Sequence, residues 1–213
     1  MGLVAAIGNS LLITTGAELL TLILAFPAAY AVARIPVVLA APIETLFGLG
    51  FLIPAFAVLV PVFLMAAATG LLYHPLALIL FYPATRLPIS IILLAAYLRA
   101  IPRELEEAAQ IDGASRWASI GASSFRWLAP GVIMVIVLNF IAIWNEFLFA
   151  FILLDSDNRT VQSRRAAPAL GARAVDFGLV AAGVVISLAP VYVVFILFQR
   201  RIQRGLLAGS VKQ

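Results

Sequence analysis

Three ionisable side chains sit inside long apolar runs of this sequence: Glu18, Arg86 and Glu146. A charge at the centre of a lipid-embedded helix costs on the order of 2.5 to 3.5 kcal/mol even on the lenient insertion scale, so each requires a partner or a polar path. Arg86 lies between Pro83 and Pro88, where a broken helix frees carbonyls that could accept its hydrogen bonds. If neighbouring antiparallel spans bring Glu18 and Arg86 to one depth, they form a structural ion pair; the alternative is that Arg86 faces a polar translocation path. Asn145 and Glu146, in Trp144-Asn145-Glu146-Phe147, have two readings as well. They face a water-filled cavity, or the aromatic residues anchor the span at the interface while the glutamate reaches the headgroups.

What is missing is equally informative. The chain has no cysteine and one histidine, His74, which removes disulfide frameworks, thiol chemistry and most zinc sites. His74 stands beside Pro75 at a turn and reads as interfacial. No nucleophile stands beside a base, and no glycine-rich loop with a lysine could hold nucleotide phosphates. The sequence therefore predicts no catalytic residue, no metal and no cofactor.

The elements that position these residues are membrane spans. Of the 213 residues, 64% are hydrophobic and 11% charged, with mean hydropathy +1.11, far above the roughly 45 to 50% apolar content of soluble domains. A crossing takes about 20 apolar residues. On that basis we divide the chain into five: Leu3 to Ala33, Val38 to Ala68, Leu76 to Leu98, Pro130 to about Leu154, and Phe177 to Gln199. The 41 residues from Thr45 to Thr85 carry no charge and suit two crossings, turned at Tyr73, His74 and Pro75 after Gly70. Met1 to Ala33 is a retained span, because its apolar run is too long for a secretory signal and no positive residue precedes it. Gly8, Gly16, Gly48 and Gly50, with Gly178, Ala181, Ala182 and Gly183, read as sites of close helix approach.

Between the third and fourth spans lies a charge-dense segment, Pro102 to Ser115. Pro102 suits a first helical position, the glutamates complement the positive helix end, and Gly113 can take the left-handed conformation that stops the helix. Two short helices with a sharp joint follow, the second capped by Ser115. If this segment is cytoplasmic, that side holds Arg34, Arg99, Arg103, Arg116, Arg126, Arg200, Arg201, Arg204 and Lys212. The other side holds Arg159, Arg164, Arg165 and Arg173, and the excess of inner positive charge places the N-terminus outside. Arg164 and Arg165 have no physical account in this scheme. The basic residues scatter over span ends, so the net charge of +4 does not indicate nucleic acid.

Glu107-Ala108-Ala109 followed by Gly113 resembles the EAA loop of permease subunits of ATP-binding-cassette importers. Further landmarks are similar to the MalG-type permeases of carbohydrate importers: Asn9-Ser10-Leu11, Ala28 through Arg34, Pro54 and Pro61, Trp144 through Phe147, and the tail from Gly205 to Lys212. The resemblance implies an all-α polytopic helix bundle of the type I importer kind, with residues 1–213 as one permease domain in the inner membrane and a cytoplasmic coupling loop over about 99–129. It implies ATPase docking through Glu107, Ala108, Ala109, Asp112 and Gly113, while Arg86, Asn145 and Glu146 are candidates for a translocation path on their polarity within the spans. The implied partners are a second permease in a heterodimer, two ATPase subunits, an extracytoplasmic solute-binding protein and membrane lipid, and the implied cargo is a sugar or sugar-like solute.

The sequence departs from the family in two places. The family has six spans and this sequence begins where the second begins, so the chain is a fragment, has a misplaced start, or manages with five. The loop's usual Ile-x-Leu-Pro ending is replaced by Ser123-Ser124-Phe125-Arg126, with Pro130 left to start the next span. Two other functions stay open: an inactive truncated remnant, and an ion-coupled secondary transporter in which Glu18, Arg86 and Glu146 form a relay.

Overall fold

A computed structural model describes residues 2–111, 113, 125–164 and 177–210 of the chain, and every regular element among them is helical. In chain order these are α1 (Gly2–Arg34), α2 (Val37–Leu49), a 3-10 turn (Gly50–Leu52), α3 (Ala55–Ala68), α4 (Pro75–Ala100), α5 (Arg103–Ile111), α6 (Phe125–Trp144), α7 (Leu148–Leu153) and α8 (Phe177–Ser210). Asp112, the helix expected beyond Gly113 with its Ser115 cap, Ser123, Ser124 and Arg165 lie outside the described residues.

The core is organised by α1 against α4, the most extensive helix pair. The buried positions of α1 include Ala6, Ser10, Ile13, Ala17, Thr21, Ala25, Ala29 and Ala33, one every three or four residues and nearly all small, with Thr14, Glu18 and Val32 buried beside them. Small side chains at that spacing let two backbones approach in a membrane, where packing rather than water exclusion holds helices together. The pair is parallel: Gly16 lies against Ile79, and Arg99 Nη2 donates to Val32 O at 3.2 Å. Both helices therefore finish at one end of the bundle, where α5 begins.

Away from α5, the helices α2 and α8 present apolar surface. Val37, Val38 and Leu39 of α2 and Val185, Tyr192 and Ile196 of α8 are exposed, as expected of faces turned to lipid or to another apolar helix. Ala181 and Ala182 are exposed too, so they do not mark close approach within the chain. Gly16 does: a Cβ there would meet Ile79 at 3.2 Å, whereas Gly8 and Gly48 face open space. The tightest site is one the sequence analysis did not single out, Gly131 of α6, where a Cβ would come within 2.5 Å of the Tyr97 ring.

Among the described residues three helices are long and apolar enough to cross a membrane: Leu3–Arg34, Pro75–Ala100 and Ala181–Gln199. The second expected span, Val38 to Ala68, is broken. After Leu49 the chain passes through the 3-10 turn, and Pro54, in extended conformation, stands at the start of α3. The fourth is broken as well, at Asn145 to Phe147, and α6 begins at Phe125 rather than at Pro130, which lies inside it. Pro130 is the sixth residue of α6, where its missing N–H leaves one carbonyl of the first turn without its intrahelical donor, a cost that membrane helices tolerate when neighbouring groups meet it. The fifth runs past Gln199 to Ser210.

Candidate functional site

The break after α6 shapes the site. Glu146 stands in that break, and its carboxylate acts as the cap of α7. Oε1 accepts the Phe149 N–H at 3.0 Å, and Oε2 accepts the Ala150 N–H at 3.2 Å. Tyr82 Oη of α4 donates to the same Oε2 at 2.7 Å. The first N–H groups of a helix lack intrahelical partners, so a carboxylate that takes two of them fixes both the helix start and its angle. Tyr82 then ties that start to α4.

Around these groups α3, α4, α6 and α7 enclose a cavity of about 600 Å³. Phe81 and Phe149, with ring centroids 4.4 Å apart, line one part of it, and Val62, Met65 and Ile143 add further apolar wall. Arg86 lines it also. Its Nε donates to Thr85 Oγ1 at 3.2 Å, and Thr85 Oγ1 donates to Tyr82 O at 2.8 Å. Among the described residues neither Nη group of Arg86 donates a hydrogen bond. Glu146 is near enough to act on Arg86 electrostatically, yet no ion pair joins the two.

Arg86 and Glu146 thus line one cavity, and Asn145 does not. Asn145 turns away from this cavity: its Nδ2 donates to Ile141 O at 2.8 Å, and its Oδ1 accepts from Gln162 Nε2 at 3.2 Å. The interfacial-belt alternative fails for a related reason. Trp144 is fully buried, stacks on Phe140, and donates from Nε1 to Ser187 O of α8 at 2.9 Å.

The Glu18–Arg86 ion pair is not formed. Both Glu18 carboxylate oxygens are buried and have no hydrogen-bond partner among the described residues. Glu18 belongs to the stripe of α1 that faces the bundle interior, with Asn139 of α6 close enough to act on it. Arg86 lies on the cavity side of α4. Equal depth on parallel neighbours does not bring two side chains together when they leave on different faces. A relay through Glu18, Arg86 and Glu146 has no continuous chain of contacts among the described residues. What joins α6 to α4 here is neutral: Asn139 Nδ2 donates to Ser90 Oγ at 2.9 Å, and Ser90 Oγ to Arg86 O at 2.8 Å.

At the α5 end, arginines hold the helices. Arg99 pairs with Glu44 of α2 at 2.7 Å besides bonding Val32 O, and Arg103 Nη2 donates to Arg34 O at 3.2 Å. Cations at helix C-termini satisfy carbonyls left without partners. Glu107 and Ala108 of α5 are exposed, and Ala109 lies in the same helix. Gly113 is exposed, has φ +86°, and has open space where a Cβ would stand.

The opposite end explains two sequence landmarks. Asn9 Nδ2 donates to Asp157 O at 3.1 Å, and Ser10 Oγ accepts the Val161 N–H at 2.9 Å, so Asn9-Ser10 fastens the segment after α7 to α1. In that segment Arg164 Nη1 donates to Ser156 O at 3.2 Å, which gives Arg164 a local structural role. His74 Nδ1 accepts the Leu76 N–H and caps α4.

The sequence analysis missed Tyr82, Thr85 and the two phenylalanines of the cavity. Tyr82 could have been found, since it precedes Arg86 by four residues and shares its helix face. Phe149 could not, because nothing in the apolar run from Phe147 announces the break.

This chain is similar to the diacetylchitobiose uptake system permease protein NgcG of Streptomyces coelicolor, with 32% identity over 96% of this chain and 67% of that one. It is 35% identical to the trehalose/maltose transport system permease protein MalG of Thermococcus litoralis, over 98% and 75% of the two chains. Among solved structures, a bacterial ABC transporter involved in import of the acidic polysaccharide alginate superposes with TM-score 0.76 at 22% identity, covering 92% of this chain and 74% of that one. Residues 19–207 match the family described as the binding-protein-dependent transport system inner membrane component, and the chain belongs to it: a membrane permease that works with ATPase and solute-binding partners and is not itself an enzyme.

Proposed function

We propose that this chain is one of two different permease subunits of an ATP-driven importer for a sugar or sugar-like solute. Relatives named for diacetylchitobiose and for trehalose/maltose support the solute class. In this reading residues 1–213 form one transmembrane domain that crosses five times. α1, α4 and α8 each make one crossing, α2 and α3 together make another, and α6, whose 20 residues reach about 30 Å, makes the fifth. The α5 end faces the cytoplasm, within a coupling loop over about 99–129, and ATP is hydrolysed on two separate subunits docked there.

The observation that carries the proposal is α5 itself: an exposed acidic helix between spans, stopped at a glycine in the left-handed region. Glu107, Ala108, Ala109, Asp112 and Gly113 form the ATPase contact in this reading. Arg103 at the start of α5 bonds the last residue of α1, and Arg99 near the end of α4 bonds α1 as well, so a displacement of α5 by the ATPase reaches α1 directly and α4 through the short link that joins it to α5. Transport follows if the nucleotide-bound partner prefers one arrangement of the bundle, since a partner that bound both equally would shift nothing.

Gly113 tests this directly. A Cβ there meets none of the described residues, but a side chain is strained at φ +86°, by about 1–2 kcal/mol for a left-handed L-residue and more for a β-branched one such as valine. We expect Gly113→Val to leave membrane insertion unchanged and to separate ATP hydrolysis from uptake in vesicles, while Gly113→Asn, tolerated in that conformation, retains coupling. Normal coupled uptake by the valine variant removes the assignment.

A further inference from the structure

Building on the importer reading, we infer that the cavity recognises a solute bearing an anionic group, such as an acidic sugar with a carboxylate, and that Arg86 is the residue that binds it. The inference rests on which charge in the cavity is already engaged. Glu146 accepts three hydrogen bonds, from Tyr82 Oη and from the N–H groups of Phe149 and Ala150. Its place is set by the helix it caps. Arg86 differs: Nε is held by Thr85 Oγ1, and the two Nη groups, which carry the paired donors of the guanidinium, have no partner among the described residues.

The position of Arg86 makes this meaningful. It lies near the middle of α4, and most of the surrounding wall is apolar. A guanidinium there is costly unless something solvates or pairs with it. Held at Nε, it presents its outer edge as a planar fork suited to two parallel bonds with a carboxylate or comparable oxyanion. The phenylalanine pair at the same cavity offers flat apolar surface beside that fork. One oriented charged group within a mostly apolar wall is the usual construction of a selective small-molecule site. A neutral sugar hydroxyl takes single hydrogen bonds from such a group, whereas an oxyanion uses both its charge and its paired donors.

The test uses the complete transporter, with its second permease, ATPases and binding protein, reconstituted in vesicles. The probes are radiolabelled disaccharides, their uronates, and the methyl ester of each uronate, which keeps the skeleton and removes the charge. The expected result is ATP-dependent uptake of a uronate, about ten- to hundredfold above its ester, the range that one hydrogen-bonded charge supplies. Arg86→Gln abolishes that preference, and Arg86→Lys, which keeps the charge without the fork, retains part of it. ATP-dependent uptake of neutral disaccharides alone overturns the inference and leaves the sugar-importer reading standing. Uptake of no sugar of either kind removes both. An unchanged uronate preference in Arg86→Gln overturns the role of Arg86. If Arg86→Gln instead separates the two permeases, the anion is a side chain of the neighbouring subunit, and the inference fails.

Discussion

The cavity and the α5 end both place arginines beside glutamates, and they use them in opposite ways. At the α5 end, Arg99 bonds Glu44 and Val32 O while Arg103 bonds Arg34 O, so the guanidinium groups act as struts between helix ends. In the cavity the glutamate is the strut, capping α7 and holding Tyr82, and the arginine keeps donors in reserve. Which partner of a pair bears load is decided by the nearest unsatisfied backbone groups. Helix C-termini offer carbonyls and recruit cations, and the N-terminus of α7 offers N–H groups and recruits an anion. The charge left over is the one available for a ligand.

That contrast predicts a ranking of stabilities. Glu146→Ala has the largest expected effect, because it strands two helix-start N–H groups and the Tyr82 hydroxyl together. A loss of about 3 kcal/mol is expected, read as a lowered unfolding temperature of the purified transporter. If the loss were below 1 kcal/mol, water in the cavity would be replacing the carboxylate, and Glu146 would be no strut.

Gly131→Ala comes next, and it asks whether the α5 half is held by packing as well as by charge. The added methyl would sit 2.5 Å from Tyr97 Cγ, at the stiff base of the ring, so the ring or the helix must move. Overpacking of this kind costs about 1 to 3 kcal/mol. A neutral outcome would show that α4 and α6 slide freely there.

These two residues also mark how much was legible in the sequence. Apolar runs ended by charges gave α1 and α4 to within about two residues and the start of α8, whose helix continues past the charges to Ser210, and Tyr73-His74-Pro75 gave the turn before α4. The break between α2 and α3 was not read, although Gly50 and Pro54 mark it, because apolar residues on both sides make one long run without a change of period. Glu146 was read as reaching water or headgroups. A capping carboxylate is recognisable only when the helix it caps is recognisable, and α7 is six residues of unbroken hydrophobicity. Cost alone singled out Glu18, Arg86 and Glu146, and the pair it suggested was Glu18 with Arg86; the engagement of Glu146 depends instead on a Tyr82 hydroxyl contributed 64 residues away.

The smallest effect belongs to Arg99 and Glu44, and it sharpens the contrast most. Their 2.7 Å contact is the shorter of Arg99's two bonds, but the side chains are 35% and 27% exposed. Water and salt screen such a pair, so a double-mutant cycle with Arg99→Gln and Glu44→Gln should return a coupling of roughly 0.5 kcal/mol. Arg99→Gln alone should cost more than that coupling, since it also releases the Val32 carbonyl at the end of α1. The excess measures the strut as distinct from the ion pair. Because α1 and α4 are joined at this point, loss of the strut should weaken the link between ATP hydrolysis and uptake more than it weakens folding. A coupling energy as large as the whole single-mutant cost would mean that the surface charge pair, and not the helix end, holds α1 to α4.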